Sequence, residues 1–493
     1  MQDAAPLEAI AMDMQSSDYP LPKQFIGGEW RRGGDGHCGV VRNPATDETL
    51  AEVPRASRQD LDDALASSSS SFEIWRKTSA IERAAILRRA ADLIRDRSAH
   101  LARLMTLEQG KTLAESTLEF SIVAETLDWN AAEALRANGR IIPARARGAR
   151  QMVVMQPLGP VAAFTPWNFP GVLPARKIAT ALAAGCTVVI KPAEETPAST
   201  IGIAQALQDA GLPAGALNVV FGVPADVSSH LMRSDIIRKV HFTGSTGVGR
   251  HLAKLAAEGL KPCTLELGGH APVLVFDDAD LDTAVVTCVQ GKTRNAGQVC
   301  TCPTRFIVQD GIYDAFVQRY GEALDRVIVG PGLDSASQMG ALANHRRRDA
   351  VEAMVSDAID QGGRLVAGGD RVGSRGTFWR PTLIAGVSHS AQAMNVEPFG
   401  PLALATRFST IDDGLAEANR LSYGLAGYAF TRSAATAVTV ADELQVGGVG
   451  INTFAVSQIE APFGGVKDSG YGVEGGHEGI EAFMHPRYVH HVT

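Results

Sequence analysis

From Val161 onward, short apolar runs alternate with amphipathic stretches, the pattern of a parallel sheet covered by helices on both faces. Val161-Ala162-Ala163-Phe164, Thr187-Val188-Val189-Ile190, Leu217–Phe221 and Lys239–Phe242 predict successive strands. Thr196-Pro197 supplies the cap and first position of a helix, and Gly211 closes it. Upstream, Phe25 begins short strand-like pieces punctuated by Gly27-Gly28 and Arg42-Asn43-Pro44. Ser79-Ala80-Ile81-Glu82 has the form of a capping box; Ile86, Leu87, Ala90, Leu93 and Ile94 follow at helical spacing and read as core. Gln151–Val154 predicts a strand after a basic, solvated run with Arg145, Arg147 and Arg150. A second α/β set opens with Pro272–Phe276 and runs to about Phe463, so a boundary falls just after Glu266, with a cleft between the halves.

Composition narrows the class. At 493 residues the chain exceeds one ordinary core, so two or three domains are expected. Its 45% hydrophobic and 20% charged residues suit a globular protein, and a net charge of -8 offers no attraction to nucleic acid or anionic membrane. No apolar run approaches the roughly 20 residues of a membrane span. The segment up to Tyr19 has no clear period and no basic start, which predicts a mobile tail and a cytoplasmic protein. The six cysteines lack disulfide-scaffold density, and no second Cys or His cluster accompanies Cys300 and Cys302, so free thiols and no metal site are expected.

The candidate chemistry centres on Arg294-Asn295-Ala296-Gly297-Gln298-Val299-Cys300-Thr301-Cys302. A cysteine behind a glycine-containing approach at the end of an amphipathic run is expected at a helix boundary, where a backbone N–H faces whatever the sulfur attacks. Phe242-Thr243-Gly244-Ser245-Thr246-Gly247-Val248-Gly249 leaves a strand and enters a helix, whose free N–H groups favour a pyrophosphate, although the spacing is not G-x-G-x-x-G. Lys191-Pro192-Ala193-Glu194 ends another strand.

Together with Pro166-Trp167-Asn168-Phe169-Pro170, Leu265-Glu266-Leu267-Gly268-Gly269 and Glu397-Pro398-Phe399-Gly400-Pro401, these stretches resemble the aldehyde dehydrogenase superfamily along almost the whole chain. The resemblance implies an α/β aldehyde dehydrogenase fold. Residues 20–137 and 156–267 would form a Rossmann-like NAD-binding domain and 268–463 the catalytic domain. Residues 138–155 and 464–493 would form a β-hairpin oligomerisation element of a homodimer or homotetramer, and 1–19 the tail.

It also implies site roles. Cys300 attacks the aldehyde, Asn168 and the Cys300 N–H hold the oxyanion, and Glu266 activates the water that cleaves the thioester, with Lys177 and Glu474 supporting the proton path. Thr165, Pro166, Trp167, Lys191, Glu194, Gly244, Ser245, Glu397 and Phe399 match cofactor positions; a carboxylate at Glu194 favours NAD, with NADP the alternative. Within the superfamily the chain looks most like the succinate-semialdehyde branch, where Arg176, Arg294 and Ser457 match contacts to the substrate's distal carboxylate. The stretches Glu194–Ser199, Gly268–Pro272 and Lys467–Gly472 look equally like 2-oxoglutarate-semialdehyde dehydrogenases. Cys302 matches a second cysteine that closes a disulfide on oxidation in some succinate-semialdehyde enzymes. The chain departs from the pattern at His270, where many relatives have asparagine, and at Val473, where many have arginine. The rival class, a non-catalytic binding protein on the same fold, would be expected to lose the nucleophile, base or oxyanion donor; all three are present.

Overall fold

The computed structural model describes residues 19–492. The tail therefore lies outside the described residues except for Tyr19, which is buried and donates its hydroxyl to Glu108.

The first sheet has eight strands, in the order Gly470–Tyr471, Cys263–Glu266, Lys239–Thr243, Val161–Phe164, Val188–Lys191, Leu217–Val219, Gln24–Ile26 and Glu29–Arg31. The five strands from Cys263–Glu266 to Leu217–Val219 are parallel. Chain order reverses between Val161–Phe164 and Lys239–Thr243, a topological switch point whose carboxyl ends leave a crevice. The fully buried pattern of these strands follows from helices on both faces. One of them, Val172–Ala184, is apolar nearly all round and buried from Pro174 to its end, yet carries Arg176 and Lys177 inward.

The second sheet has seven strands around Ala271–Val275, Pro303–Gln309 and Leu402–Phe408. A third, antiparallel sheet pairs Met484–Val492 with Ala149–Pro157 in continuous register, and Arg140–Ile142 lies on its other side. No helix among the described residues is long and apolar enough to cross a membrane.

The capping box at Ser79 opens the Ala80–Gln109 helix as expected, and Gly110, at φ 95°, ends it. The Pro197–Asp209 helix differs. Thr196 makes no side-chain cap; the Glu108 carboxylate instead accepts from Ala198 N at 2.9 Å, Ser199 N at 3.1 Å and Ser199 Oγ at 2.6 Å. A buried helix start needs acceptors for its free N–H groups, and here they come from a distant helix. Burial pushes the Glu108 carboxyl up to about 7 against these hydrogen bonds.

Candidate active site

Cys300 does not sit at the helix boundary. The Leu281–Thr293 helix ends at Arg294, and three left-handed residues follow: Asn295 at φ 48°, Ala296 at φ 50° and Gly297 at φ 71°. Two non-glycine residues in that region cost about 1–3 kcal/mol each, so surrounding contacts must hold them. They do. Asn295 N donates to Glu115 Oε1 at 2.6 Å, and Asn295 Oδ1 accepts from Gln109 Nε2 at 2.8 Å. Asn295 Nδ2 donates to Asn168 O at 2.8 Å, and Gln298 Nε2 returns to Asn295 O at 3.0 Å. A Cβ on Gly297 would lie 2.2 Å from Gly400 O, which admits only glycine. The turn swings Cys300 out between two cavities, and the sulfur-bearing residue lines both.

Asn168 is buried, its Nδ2 donating to Gln298 O at 3.0 Å, which leaves the second amide hydrogen uncommitted; its Oδ1 has no partner. Its backbone carbonyl accepts from Lys111 Nζ at 2.9 Å, while Lys111 pairs with buried Glu119 at 2.6 Å. Glu119 in turn accepts from Gly171 N and Val172 N, capping the helix that carries Arg176 and Lys177. Sequence reasoning missed Gln109, Lys111, Glu115 and Glu119. The one available signal was a cluster of polar residues placed where the apolar stripe Leu101, Leu104, Met105 continues.

One cavity, of about 450 Å³, is walled by apolar side chains such as Leu118, Ile122, Phe169, Phe454 and Phe463, with Arg176, Arg294 and Ser457 among the polar groups. The two arginines differ. Arg176 is buried, and its Nη2 already donates to Ser457 O at 2.9 Å and Ser457 Oγ at 3.2 Å. Its Nη1 lies 3.9 Å from Glu474 Oε2, and its Nε has no partner. Arg294 is exposed at the cavity wall, 5.2 Å above the Phe169 ring, and makes no salt bridge among the described residues. Lys111 Nζ lies 4.2 Å from the same ring.

The other cavity, also about 450 Å³, lies at the switch point and is lined by Pro166, Trp167, Gly244, Ser245, Glu397 and Phe399, among others. Trp167 and Phe399 meet edge to face at 5.6 Å. Glu397 accepts from Gly269 N at 3.1 Å, and a Cβ on Gly268 would lie 2.6 Å from its carboxylate. Burial pushes the Glu397 carboxyl up to about 7, against the Gly269 N–H and Arg347. The Thr246–Glu258 helix begins here with no side-chain cap, so its free N–H groups remain available. Thr165, Lys191 and Glu194 do not line this cavity but stand at the same carboxyl edge of the sheet, where Phe164 pairs with Lys191. The Thr165 hydroxyl is buried without a partner, and Lys191 ion-pairs with Glu194. An uncapped helix start, unpaired polar atoms and an aromatic-edged cavity running to Cys300 fit a nicotinamide dinucleotide.

Glu266 also lines this cavity, buried, with neither carboxylate oxygen hydrogen-bonded. Burial, then the charge of Glu474, push its carboxyl well above the usual range. For Glu474 burial works against the charge too, but Lys177, His241 and Arg176 outweigh it and hold the carboxyl below that range. Lys177 Nζ donates to Glu474 Oε1 at 2.5 Å and to Thr243 Oγ1 at 2.7 Å. Loss of water around the Cys300 thiol, then Glu397 and Glu266, push it up to about 12, with Arg176 pulling the other way.

Of the two departures, Val473 directly precedes Glu474 in the chain, and His270 is turned into the interior. Buried His270 bonds Thr304 Oγ1 at 2.6 Å and Ala393 O at 2.8 Å. Cys302 is buried behind the site, its sulfur 3.8 Å from Gly291 O, and it lines neither cavity.

A family model described as the aldehyde dehydrogenase family matches residues 30–489. The chain is 49% identical over 475 residues to 4-(hydroxymethyl)benzenesulfonate dehydrogenase TsaD1 of Comamonas testosteroni, covering 96% of this chain and 99% of the relative. It is 41% identical to the NADP(+) succinate-semialdehyde dehydrogenase GabD of Escherichia coli (strain K12), covering 97% and 99%. The crystal structure of succinate-semialdehyde dehydrogenase from Burkholderia pseudomallei superposes with a TM-score of 0.93 at 41% identity, covering 96% and 98%.

Proposed function

Because the chain belongs to the aldehyde dehydrogenase family and is an NAD(P)-dependent aldehyde dehydrogenase, we propose that it oxidises an aldehyde bearing a distal anionic group to the free acid, with succinate semialdehyde the first candidate and 2-oxoglutarate semialdehyde the alternative. One observation carries the substrate reading: Arg294 stands in the wall of the cavity that ends at Cys300, without an acidic partner among the described residues. A guanidinium beside apolar walls recognises a carboxylate or sulfonate through its planar fork. Arg176, committed through Nη2 to Ser457 and near Glu474, fixes the loop behind that fork.

In the mechanism, the Cys300 thiolate attacks the carbonyl carbon, and the alkoxide is met by the free Asn168 amide hydrogen and the Cys300 N–H. Trp167, Glu397 and Phe399 would hold a nicotinamide ring, which would supply the hydride acceptor when bound. The thioester left on Cys300 is cleaved by water, from which Glu266 takes a proton. Glu266 in this state is held protonated by burial and Glu474, so hydrolysis gains rate as pH rises.

The aromatic wall of Phe169, Phe454 and Phe463 favours a second reading, an aryl aldehyde carrying a sulfonate, in keeping with the likeness to TsaD1. The test compares kcat/KM for succinate semialdehyde, 2-oxoglutarate semialdehyde and 4-formylbenzenesulfonate with butanal and benzaldehyde. Arg294→Ala is expected to lower it roughly 10 to 100-fold for the anionic aldehydes, since a charge-assisted contact is lost. The neutral pair should be nearly unaffected; equal losses for both sets would make Arg294 structural and leave the aldehyde unspecified.

Glu194, at the strand end beside the cofactor crevice, is proposed to accept from the adenosine ribose and oppose a 2′-phosphate, so that NAD is preferred. Glu194→Ser should lower the NAD to NADP preference by roughly tenfold, about 1.4 kcal/mol of repulsion removed. An unchanged ratio in paired cofactor titrations would place the carboxylate elsewhere.

A further inference from the structure

Lys239, His241 and Thr243 alternate along one strand, so all three face the same side of the sheet, beneath the helix that carries Lys177. His241 is buried, and its Nε2 lies 2.6 Å from Glu474 Oε1, a short but skewed approach. Neither ring nitrogen makes an aligned hydrogen bond, so the Nε2 approach to Glu474 is a charge–dipole contact, and the ring tilts against Phe483 at 5.4 Å. The resemblance assigned this residue nothing, and it lies outside both cavities.

Two nearby carboxyls are unevenly served. Glu474 Oε1 faces two nitrogens, Lys177 Nζ and His241 Nε2, whereas both oxygens of Glu266 and Oε2 of Glu474 have no hydrogen-bond partner. Like charges in one dry space cannot both ionise freely, so the pair holds a proton in common, and it resides on the carboxyl with fewer donors. An unprotonated Nε2 would set its lone pair beside a carboxylate oxygen at 2.6 Å, so the ring proton belongs on Nε2, on the side of Glu474 though not aligned with it.

We infer that His241 is a positioning residue that decides which carboxyl, Glu266 or Glu474, holds the proton they share during hydrolysis. It keeps Glu474 ionised and leaves the proton on Glu266, so water is activated only as pH rises far enough for Glu266 to lose it. The inference rests on Glu266 being the base of hydrolysis. The charged groups facing the ring are Glu474, Lys177 and Lys239; Arg176 and Glu266 interact with Glu474 behind it. Lys239 donates to Thr264 Oγ1 at 2.8 Å rather than to the ring. Burial first and then Lys177 push the imidazole down to about 3, so it stays neutral and keeps a single ring proton throughout the working range.

The measurement is the pH dependence of steady turnover after the first burst of reduced cofactor, on the full-length enzyme with succinate semialdehyde or the best substrate of the panel. In His241→Leu the proton moves toward Glu474, Glu266 ionises earlier, and the midpoint of the rising limb should fall by about one pH unit, a tenfold change in sharing. His241→Gln, whose amide nitrogen lies as many bonds from the backbone as Nε2, should restore the wild-type midpoint. If the leucine variant does not fold, His241→Asn, too short to reach Glu474, should show the same fall. An unmoved midpoint in the folded leucine or asparagine variant overturns the inference, as does a glutamine variant that shifts equally. Full hydrolysis with an intact limb in Glu266→Gln would instead remove the base assignment on which the inference stands.

Discussion

Cys300→Ala is expected to lose aldehyde oxidation by roughly 10⁴-fold or more while still binding the nicotinamide cofactor. Without the sulfur no adduct forms at the carbonyl carbon, so there is no alkoxide from which hydride can leave. Retention of binding is expected because Cys300 only closes the end of a cavity built by the switch-point loops, Glu397 and Phe399. Steady-state production of reduced cofactor, alongside a cofactor titration by fluorescence, decides the matter; measurable turnover by the alanine variant would overturn the nucleophile. The wild-type burst carries a second signature. With the thiol pushed up to about 12, the thiolate is scarce at neutral pH and its fraction grows about tenfold per unit, so the burst should accelerate with pH.

Glu266→Gln is the complementary case. Acylation precedes hydrolysis, so a burst close to one equivalent of reduced cofactor should survive, followed by turnover slowed roughly 10² to 10⁴-fold, the range for loss of a general base. Glutamine preserves volume but cannot take a proton. Its alkaline limb should also vanish, because the carboxyl whose ionisation creates the limb is gone. Loss of the burst itself would move Glu266 to an earlier step, and unimpaired turnover would leave water activation to another group.

These two positions were readable without coordinates because they sit in short stretches whose order and spacing carry the resemblance. What holds them was not. The turn before Cys300 depends on Glu115 and Gln109 reaching Asn295, and Asn168 depends on Lys111 and Glu119, partners far away in the chain. Thr196 read as a helix cap because local chemistry favours threonine there, yet Glu108 fills the role from another helix. Arg176 and Arg294 read as a matched pair of substrate contacts; the fold engages the first internally and leaves the second open.

The sequence by itself determined the class of the protein. Short apolar runs and helical patterning set strands against covering helices, and local turn residues placed Gly244 and Ser245 at a strand end, since such preferences act over a few neighbouring residues. Tertiary structure alone decided where protons and charges reside. Burial that strips water from Glu266, a histidine brought to 2.6 Å from Glu474, and a left-handed turn clamped by a distant carboxylate all arise between residues remote in sequence. Desolvation and Coulomb interaction depend on distance in space, and no local pattern encodes that distance.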